Sequence, residues 1–488
     1  MAPQSSPDSS GVRTLAALFL LTLIAMLVLG YHPGLEDDAF YLAAIKRDLN
    51  PALFPHDADF FRLQFQATVF DKLIAASIRL THLSVGWCVF LWQFASIFFI
   101  LGGCWQIACR CFSTAPARWA AVTLVALVLG IPVSGTAINL ADQYLHPRNL
   151  ATAAIVWAIV ATLDRRFALA APLLAFAFVT HALMASFAIS FCIFLAWQAS
   201  ARTVSNMALL LPWSWMLAPT SDSWRQAAST RSFYALSHWT WYEWLGVFAP
   251  LALLWFFRGI AKRNRSPVLE RLTTRLVYFG LLQTAVGLII MFPAQFERLR
   301  PFEPMRFLQL VYLLLFLVAG GLIGDYVLGR HAYRWILFAP LALGMFYSQR
   351  QLYPASLHLE LPGRASHNDW LEAFAWVRQN TPADALFALD PRYMQLPGED
   401  FHGFRALAER SAMADFLKDG GMAARVPALA PRWLREVQAT AQWSKFQAGD
   451  FEKLKQEFGV NWVVLAQSGV PGLDCPYRNR GVTVCRVK

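Results

Sequence analysis

The chain has 488 residues, of which 57% are hydrophobic and only 15% are charged, and its mean hydropathy is +0.41. So few charges could not cover the surface of a soluble globular protein of this size. The net charge of +11 would suit a nucleic-acid-binding protein, but the basic residues fall mainly between apolar runs and do not alternate with stacking side chains. The composition therefore excludes that class and predicts a polytopic α-helical membrane protein.

Apolar runs along the chain predict roughly eleven membrane-spanning helices. The first run follows Arg13 and is predicted to be an uncleaved span, because no small-residue cleavage pattern comes after it. Some runs are shorter than the roughly twenty residues that cross a bilayer, so these helices are predicted to be paired, tilted, re-entrant or extended by flanking residues. The predicted spans are 14–30, 84–108, 119–138, 150–163, 167–181, 184–198, 204–218, 244–257, 273–293, 307–327 and 335–348.

The distribution of basic residues predicts the orientation of these spans. With the N-terminus in the cytoplasm, nearly every inside connection is basic, as the positive-inside rule requires. The predicted transmembrane domain covers residues 1–348 and includes a long first outer loop, 31–83, and an extracytoplasmic domain covers 349–488. The inside connections carry Arg110, Arg118, Arg165, Arg166, Arg202, Arg258, Lys262, Arg263, Arg265, Arg271, Arg330 and Arg334.

The C-terminal segment has the pattern of a small α/β domain. An amphipathic helix is predicted in DWLEAFAWVRQNTP and ends before Pro382, and a strand is predicted over 385–390. Further helices are predicted over 430–440 and 450–458, the second capped by Gly459, and a strand over 460–466.

The cysteines near the C-terminus are consistent with an oxidising compartment. Cys475 and Cys485 flank CPYRNRGVTVC, in which turn-forming residues separate two short extended runs. This spacing predicts a hairpin closed by a disulfide, and two unpaired thiols are the alternative. The other five cysteines lie in or near apolar spans and are predicted to be small buried hydrophobic residues.

The candidate catalytic residues are three consecutive acids after the first span, Glu36, Asp37 and Asp38. One carboxylate could take a proton from an attacking hydroxyl while a neighbour orients it, and like charges this close would raise one pKa. Asp37 and Asp38 could also hold a divalent cation such as Mg²⁺ or Mn²⁺ through hard oxygen ligands. The alternative is a solvated start to an interfacial helix, where acids are favourable. The stretch behind them, with His56 and Asp57, is predicted to lie along the membrane.

Two further outer loops supply candidate substrate-binding residues. DQYLHPRN contains His146 and Arg148, and AQFERLRPFEPMR contains Arg298, Arg300 and Arg306. Guanidinium groups bind phosphate in bidentate fashion, so these arginines would suit a lipid-linked phosphate at the membrane surface. Contact with lipid headgroups, or pairing with nearby glutamates, is the alternative. No Gly-rich phosphate loop, HExxH motif, paired CxxC or GxSxG motif occurs, which argues against an ATP-driven pump or a metalloprotease.

The layout resembles the GT-C superfamily of integral membrane glycosyltransferases. The resemblance rests on the acidic motif of Glu36, Asp37 and Asp38 in a long first outer loop, amphipathic segments behind it, about eleven spans and a C-terminal extracytoplasmic domain. It implies a polyprenyl-phosphate-linked sugar donor, Asp37 or Asp38 as the base, and the outer arginines as contacts of the carrier phosphate. The sugar-specific signatures of the oligosaccharyltransferase and protein mannosyltransferase branches are not evident.

The chain also resembles uncharacterised bacterial membrane proteins with segments such as LHPRN, WVRQNTP, FRALAER and FGVNWVVL. This resemblance implies the bacterial inner membrane and gives no activity.

Two functions are consistent with these features. The first is inverting glycosyl transfer from a lipid-linked sugar, with membrane lipids as the surroundings and the outer arginines stabilising the leaving phosphate. The second is a non-enzymatic carrier of a lipid-linked or anionic substrate, which would place ionisable residues deep within spans or break helices at the midplane. The span centres are largely free of charge, which favours the transferase, whereas the short spans over 150–218 keep the carrier open.

Overall fold

The structure is a computed structural model that describes residues 7–197, 220–364, 367–466 and 469–488, without the side chains of 7–10 and 62–65. The predicted span 204–218 lies outside the described residues. The helices up to residue 352 are α1 (Pro7–Leu29), α2 (Asp38–Leu49), α3 (Asp59–Ala67), α4 (Phe70–Thr81), α5 (Val85–Cys111), α6 (Ala115–Leu127), α7 (Pro147–Leu163), α8 (Phe167–Thr180), α9 (Ala182–Ala196), α10 (Asp222–Ser229), α11 (Trp241–Arg263), α12 (Pro267–Met291), α13 (Leu308–Ile323) and α14 (Phe338–Leu352).

The apolar helices are those of a membrane protein. Within the described residues, five helical segments are long and apolar enough to cross a bilayer, and α6, α7, α8 and α9 are shorter apolar helices. The predicted count of eleven spans stays a prediction. The five long segments are Gly11–Leu29, Val85–Cys111, Trp241–Arg263, Pro267–Met291 and Pro304–Leu328.

The predicted span 119–138 is wrong at its end, because α6 stops at Leu127. The chain then forms a short antiparallel hairpin of β1 (Pro132–Val133) and β2 (Ile138–Asn139). Pro132 lacks a backbone N–H, and the turn between the strands uses Gly135 with a φ of +66°. The apolar run therefore continues beyond the helix into a hairpin that borders the candidate site.

Small residues allow α6 and α13 to approach closely. A Cβ built on Gly320 would lie 2.6 Å from the backbone oxygen of Ala120, so no larger residue fits there without moving one helix. Close backbone approach through glycine and alanine is the usual means of helix association in a membrane, where lipid is as apolar as the helix faces.

The C-terminal part folds as a small domain around a five-stranded mixed sheet. The strand order is β4-β3-β5-β7-β6, with β3 parallel to β4 and β5 and the other pairs antiparallel. Its helices are α15 (Asp369–Asn380), α16 (Phe404–Ala408), α17 (Lys418–Arg425), α18 (Ala430–Ala439) and α19 (Ala448–Phe458), and its strands are β3 (Leu386–Ala388), β4 (Ser411–Ala412), β5 (Trp462–Ala466), β6 (Asp474–Arg478) and β7 (Val482–Arg486).

Local signals account for most of this domain. Helix α15 begins after Asn368, whose side chain accepts hydrogen bonds from the first turn, and it ends before Pro382 as predicted. Helix α19 ends at Gly459, which has a φ of +78°. Strands β6 and β7 form the predicted hairpin, and a disulfide joins Cys475 to Cys485.

Helix α2 is a buried connector and does not begin as a solvated interfacial helix. Its residues from Asp38 to Ile45 are all buried. Ala39 belongs to an apolar cluster of the C-terminal domain, Phe40 to a cluster that also includes Trp433 of α18, and Leu42 to a cluster that includes residues of α4 and α5. Because every face of α2 is covered, the segment with the acidic motif is held between the helical bundle and the C-terminal domain.

Backbone hydrogen bonds attach the end of α1 to the C-terminal domain. Tyr31 donates to the carbonyl of His358 (3.0 Å), and Glu36 donates to the carbonyl of Phe401 (2.8 Å). The carbonyl of Gly34 accepts from Gly403 at 2.8 Å. These bonds fix the path of residues 31–36 and therefore the start of α2.

A buried cluster of His32, Glu360 and His402 strengthens this attachment. The Glu360 carboxylate lies 3.2 Å from Nε2 of His402 and 3.4 Å from Nδ1 of His32. Burial lowers the pKa of His402, but Glu360 and Glu399 raise it more strongly, to about 9. Burial raises the pKa of Glu360, but His402 and His32 lower it by a larger amount, so that it lies at about 2. Glu360 and His402 are therefore both charged at neutral pH.

We expect the stability of the fold to fall as the pH rises from about 6.5 to about 9. The folded pKa of His402 lies above its usual value, so its contribution is complete below about pH 6.5 and is lost towards pH 9, by up to about 3 kcal/mol. The contribution of Glu360 is present above its usual pKa and is lost only as the pH falls towards 2.

The measurement is the unfolding midpoint in detergent as a function of pH for the wild type and His402→Gln. The wild type should lose stability relative to the variant across this window. His238→Gln, at an exposed histidine, serves as the control and should keep the wild-type slope. Equal slopes for wild type and His402→Gln would show that the cluster does not carry the effect.

Candidate functional site

Two adjacent cavities meet at the start of α2. The first, of about 240 Å³, is polar, and we call it the polar cavity. The second, of about 400 Å³, combines apolar and basic side chains, and we call it the mixed cavity. The residues that line both are Asp37, Tyr41, Arg306, Met422 and Arg425. Asp37 is thus the carboxylate in contact with both spaces.

The local backbone places Asp37 at this position. Glu36 has a φ of +53°, a left-handed conformation that is unfavourable for a residue with a Cβ. It is held there by its hydrogen bond to Phe401. Asp37 is the N-cap residue of α2, and its carbonyl accepts a hydrogen bond from Phe40 at 3.1 Å. The kink at Glu36 turns the Asp37 side chain towards the cavities.

Lys418 of the C-terminal domain pairs with the acidic motif. Its Nζ lies 2.8 Å from Oδ1 of Asp37 and also donates to Oε2 of Glu36. Asp415 caps the start of α17 by accepting a hydrogen bond from the backbone of Lys418 (2.5 Å). Lys418 is distant in sequence from the acidic motif, and only the docking of the C-terminal domain brings these groups together.

The charges around Asp37 keep it ionised. Burial raises the pKa of Asp37, but Lys418, Arg425 and Arg231 together lower it more, well below its usual range. Burial lowers the pKa of Lys418, but Asp37 and Glu36 raise it by a larger amount. The pKa of Lys418 therefore lies above its usual value, and the ammonium stays charged. The free site therefore holds a carboxylate and an ammonium in contact.

Asp38 has a different environment from Asp37. Its side chain is 1% exposed, and Oδ2 accepts a hydrogen bond from the backbone of Gly34 at 2.7 Å. Burial raises the pKa of Asp38 to about 7, and the neighbouring carboxylates contribute less. The sequence predicted that one acid of the motif has a raised pKa, and that acid is Asp38. The main cause is burial and not the neighbouring like charges. Asp38 is not among the residues that line either cavity.

The predicted donor set for a divalent cation does not fit this geometry. Asp37 faces Lys418 and Asp38 faces the backbone of Gly34, so the two carboxylates do not converge. The cation that contacts both Glu36 and Asp37 is the ammonium group of Lys418. Within the described residues, no three His, Cys, Asp or Glu side chains form a group that could hold a metal ion.

Ion pairs line the polar cavity and its border with the mixed cavity. Arg148 pairs with Asp142, and both side chains are buried. Glu303 accepts from Arg425 at 3.1 Å and also pairs with Arg306. These pairs come from α7, from the segment before α13 and from α17, so the cavity depends on both the bundle and the C-terminal domain.

The mixed cavity has an apolar wall and a basic rim. Leu183, Pro301 and Phe302 contribute apolar surface, and Arg298, Arg306 and Arg425 contribute guanidinium groups. Its lining also includes His146 and His181, at the starts of α7 and α9. Burial, with the nearby Arg148, lowers the pKa of His146 well below its usual value, so this imidazole is neutral.

The structure brings most of the predicted substrate-binding residues together. His146 and Arg298 line the mixed cavity, Arg148 lines the polar cavity, and Arg306 lines both. Arg300 is not among the lining residues of either cavity. The alternative prediction, that these arginines pair with nearby glutamates, is correct for Arg306, which pairs with Glu303.

Sequence reasoning missed the contribution of the C-terminal domain and of the segment after α10. The missed lining residues with charge are Asp142, Arg231, Lys418 and Arg425. A usable signal was present in α17, KDGGMAAR, where a pair of glycines inside a helix separates two basic residues. Glycine inside a helix is unfavourable and indicates close approach of another group.

Comparisons with known proteins give a family match for one segment of the chain and three solved structures at low identity. Residues 368–423, from the start of α15 into α17, match a family described as Domain of unknown function (DUF6798). No curated protein matches the chain.

Three solved structures are similar over most of the chain, each at 11% identity and covering 93% of it. The apo oligosaccharyltransferase of Archaeoglobus fulgidus has a TM-score of 0.44 with 69% of that chain covered. Its complex with Zn and sulfate has a TM-score of 0.41 with 67% covered. AglB from the same organism, in complex with an inhibitory peptide and a dolichol-phosphate, has a TM-score of 0.41 with 69% covered.

Proposed function

We propose that this protein is a membrane glycosyltransferase that uses a sugar linked to a polyprenyl phosphate, with Asp37 as the base. The observation that carries the proposal is the position of Asp37, which is in contact with both the polar and the mixed cavity. A group transferred between a lipid-linked donor and a polar acceptor has to pass such a junction. The proposed site is on the outer face of a bacterial inner membrane, with the N-terminus inside; the disulfide of the C-terminal domain is consistent with this placement.

In this proposal the mixed cavity binds the carrier phosphate. Arg298, Arg306 and Arg425 suit a phosphate, because guanidinium groups donate paired hydrogen bonds to its oxygens. Leu183 and Phe302 in the same wall suit the first carbons of an apolar chain. A ligand with a phosphate joined to a long hydrocarbon combines both properties.

In the proposed transfer, each proton and bond change can be assigned to a group in the site. The acceptor hydroxyl gives its proton to the Asp37 carboxylate, and its oxygen forms a bond to the anomeric carbon. The bond between that carbon and the phosphate oxygen breaks, and its electron pair goes to the phosphate. Arg306 and Arg425 stabilise this growing charge, which lowers the barrier because the contacts strengthen in the transition state. Attack from the opposite side inverts the anomeric centre.

Binding of the donor would also prepare the base. In the free site Lys418 and the arginines hold the pKa of Asp37 low, which makes it a weak proton acceptor. A bound phosphate neutralises part of the charge of Arg306 and Arg425. The pKa of Asp37 then rises towards the range in which a carboxylate accepts a proton effectively, so base strength is coupled to donor occupancy.

The test is release of lipid phosphate from a panel of polyprenyl-phosphate sugars by the reconstituted protein. We expect acceptor-dependent release by the wild type, and a KM for the donor about tenfold higher in Arg298→Gln, because a charge-assisted contact to the phosphate is lost. Arg300→Gln changes the same residue type two positions away and outside both cavities, and should keep the wild-type KM.

Four results would count against the proposal. No release with any donor, or release that does not depend on an acceptor, would contradict the proposed transferase activity. An equal change of KM in Arg298→Gln and Arg300→Gln removes the assigned phosphate site. Movement of the lipid across the bilayer without release would favour the carrier.

A further inference from the structure

The polar cavity has more positive than negative charge. Among the described residues, five cationic side chains and three carboxylates line it: Arg148, Arg231, Arg306, Lys418 and Arg425, with Glu36, Asp37 and Asp142. Arg306 and Arg425 are offset in part by Glu303 of the mixed cavity, and they are the proposed contacts of the carrier phosphate. Of the other three cations, Arg148 pairs with Asp142 and Lys418 pairs with Glu36 and Asp37, so Arg231 is left without an ion pair among the described residues.

Arg231 is the first observation that points to a ligand in the polar cavity. It follows α10 and lines the polar cavity, and within the described part of the chain no carboxylate forms an ion pair with its side chain. Its guanidinium lies against α17 at Gly421, where an added Cβ would be 2.7 Å from one terminal nitrogen and 2.8 Å from Nε. The missing side chain at Gly421 therefore provides the space that Arg231 occupies.

Arg148 supplies a second, independent observation. This side chain is almost completely buried, at 2% exposure, and one terminal nitrogen pairs with Asp142. Its Nε and its other terminal nitrogen have no hydrogen-bond partner within the described residues. Buried unsatisfied donors of a charged group are costly, and a ligand oxygen in the cavity would satisfy them.

We propose that the polar cavity binds a second oxyanion, a carboxylate or phosphate carried by the transferred sugar or by the acceptor, through Arg148 and Arg231. This inference rests on the proposed function, because it takes the carrier phosphate to occupy the mixed cavity. The second anion satisfies the free donors of Arg148 and balances Arg231. It also restricts the substrates, since without it Arg231 has no ion pair and two buried donors of Arg148 have no acceptor.

The experiment measures binding to the full chain in detergent, with polyprenyl phosphate present at saturation. The probes are glucuronate and glycerol 3-phosphate, with glucose and glycerol as neutral counterparts, and the readout is the ligand-dependent shift of the unfolding midpoint. We expect one charged probe to bind at least about tenfold more tightly than its neutral counterpart, as a charge-assisted hydrogen bond implies.

Three variants test which residues produce the preference for the charged probe over its neutral counterpart. Arg231→Gln removes the charge, and Gly421→Ala displaces the guanidinium without changing any charge, so both should abolish the preference for the charged probe. Arg225→Gln lies on α10, outside both cavities, and should keep it.

Loaded donors distinguish the two sources of the anion. If polyprenyl-phosphate-linked glucuronic acid blocks glycerol 3-phosphate binding and the glucose-linked donor does not, the transferred sugar carries the anion. If both loaded states still bind the probe, the acceptor carries it.

Three outcomes overturn the inference: equal binding of charged and neutral probes, a preference unchanged in Arg231→Gln, or mutual exclusion between the probe and polyprenyl phosphate. Release of lipid phosphate is scored separately. Release that persists without charge preference rejects this inference alone, whereas absence of release rejects the proposed function.

Discussion

Asp37→Asn is expected to lower the rate of lipid-phosphate release by about 10²- to 10⁴-fold, the usual contribution of a general base. The amide keeps the shape of the side chain but cannot accept the proton of the acceptor. Because Asp37 lines both cavities, no other carboxylate of the acidic motif has the same access to donor and acceptor. Donor binding should persist, since the arginines of the mixed cavity are unchanged.

The other two acids of the motif are matched controls. Asp38→Asn should retain most of the release activity, because Asp38 accepts a backbone hydrogen bond from Gly34 and lines neither cavity. Glu36→Gln leaves the pair of Lys418 with Asp37 in place and should have an intermediate effect. The unfolding midpoint of each variant shows whether it is folded. A loss in Asp38→Asn as large as that in Asp37→Asn would falsify the assignment of the base.

Arg405→Met is expected to destabilise the fold by about 3–5 kcal/mol, because it breaks a buried ion network. Arg405 donates to Asp419 at 2.9 and 3.1 Å and pairs with Asp57 from the segment after α2. Both carboxylates are completely buried. Methionine replaces the aliphatic part of the arginine side chain but leaves the two acids without a cation.

Arg432→Met provides the comparison for this prediction. Arg405 and Arg432 both lie over the ring of Phe60, at 5.6 and 5.2 Å, so both changes lose a similar cation–π contact. Arg432 is partly exposed and pairs with Glu436, so its loss should cost about 1 kcal/mol or less. Denaturant unfolding in detergent measures both. Equal destabilisation would show that the buried network contributes little.

The same network has a consequence for the site. Asp419 belongs to α17, the helix that places Lys418 and Arg425 at the cavities. A variant that loosens α17 should therefore lose release activity at temperatures below its unfolding midpoint. The stability of the C-terminal domain and the geometry around Asp37 are in this way connected.

The elements of the chain were largely predictable from local patterns. Apolar runs predict helices in a membrane protein because backbone groups in lipid have no other hydrogen-bond partners. In the C-terminal domain, the period of apolar residues and the caps at Asn368 and Gly459 mark helix ends. The error at the end of α6 has the same origin, since an apolar run does not distinguish a helix from a buried hairpin, and Pro132 and Gly135 carried the deciding signal.

The amino-acid sequence by itself determined which residues could do chemistry: the acids at the start of α2 and the basic residues near span ends, because charges are costly in an apolar chain and need a reason. Only the tertiary structure decided among them. Asp37 and Asp38 are neighbours in sequence, yet the kink at Glu36 directs one to the cavities and the other to Gly34. Lys418 reaches Asp37 through the docking of a separate domain, and no local pattern encodes a contact across that separation, because docking depends on surfaces that form only after folding.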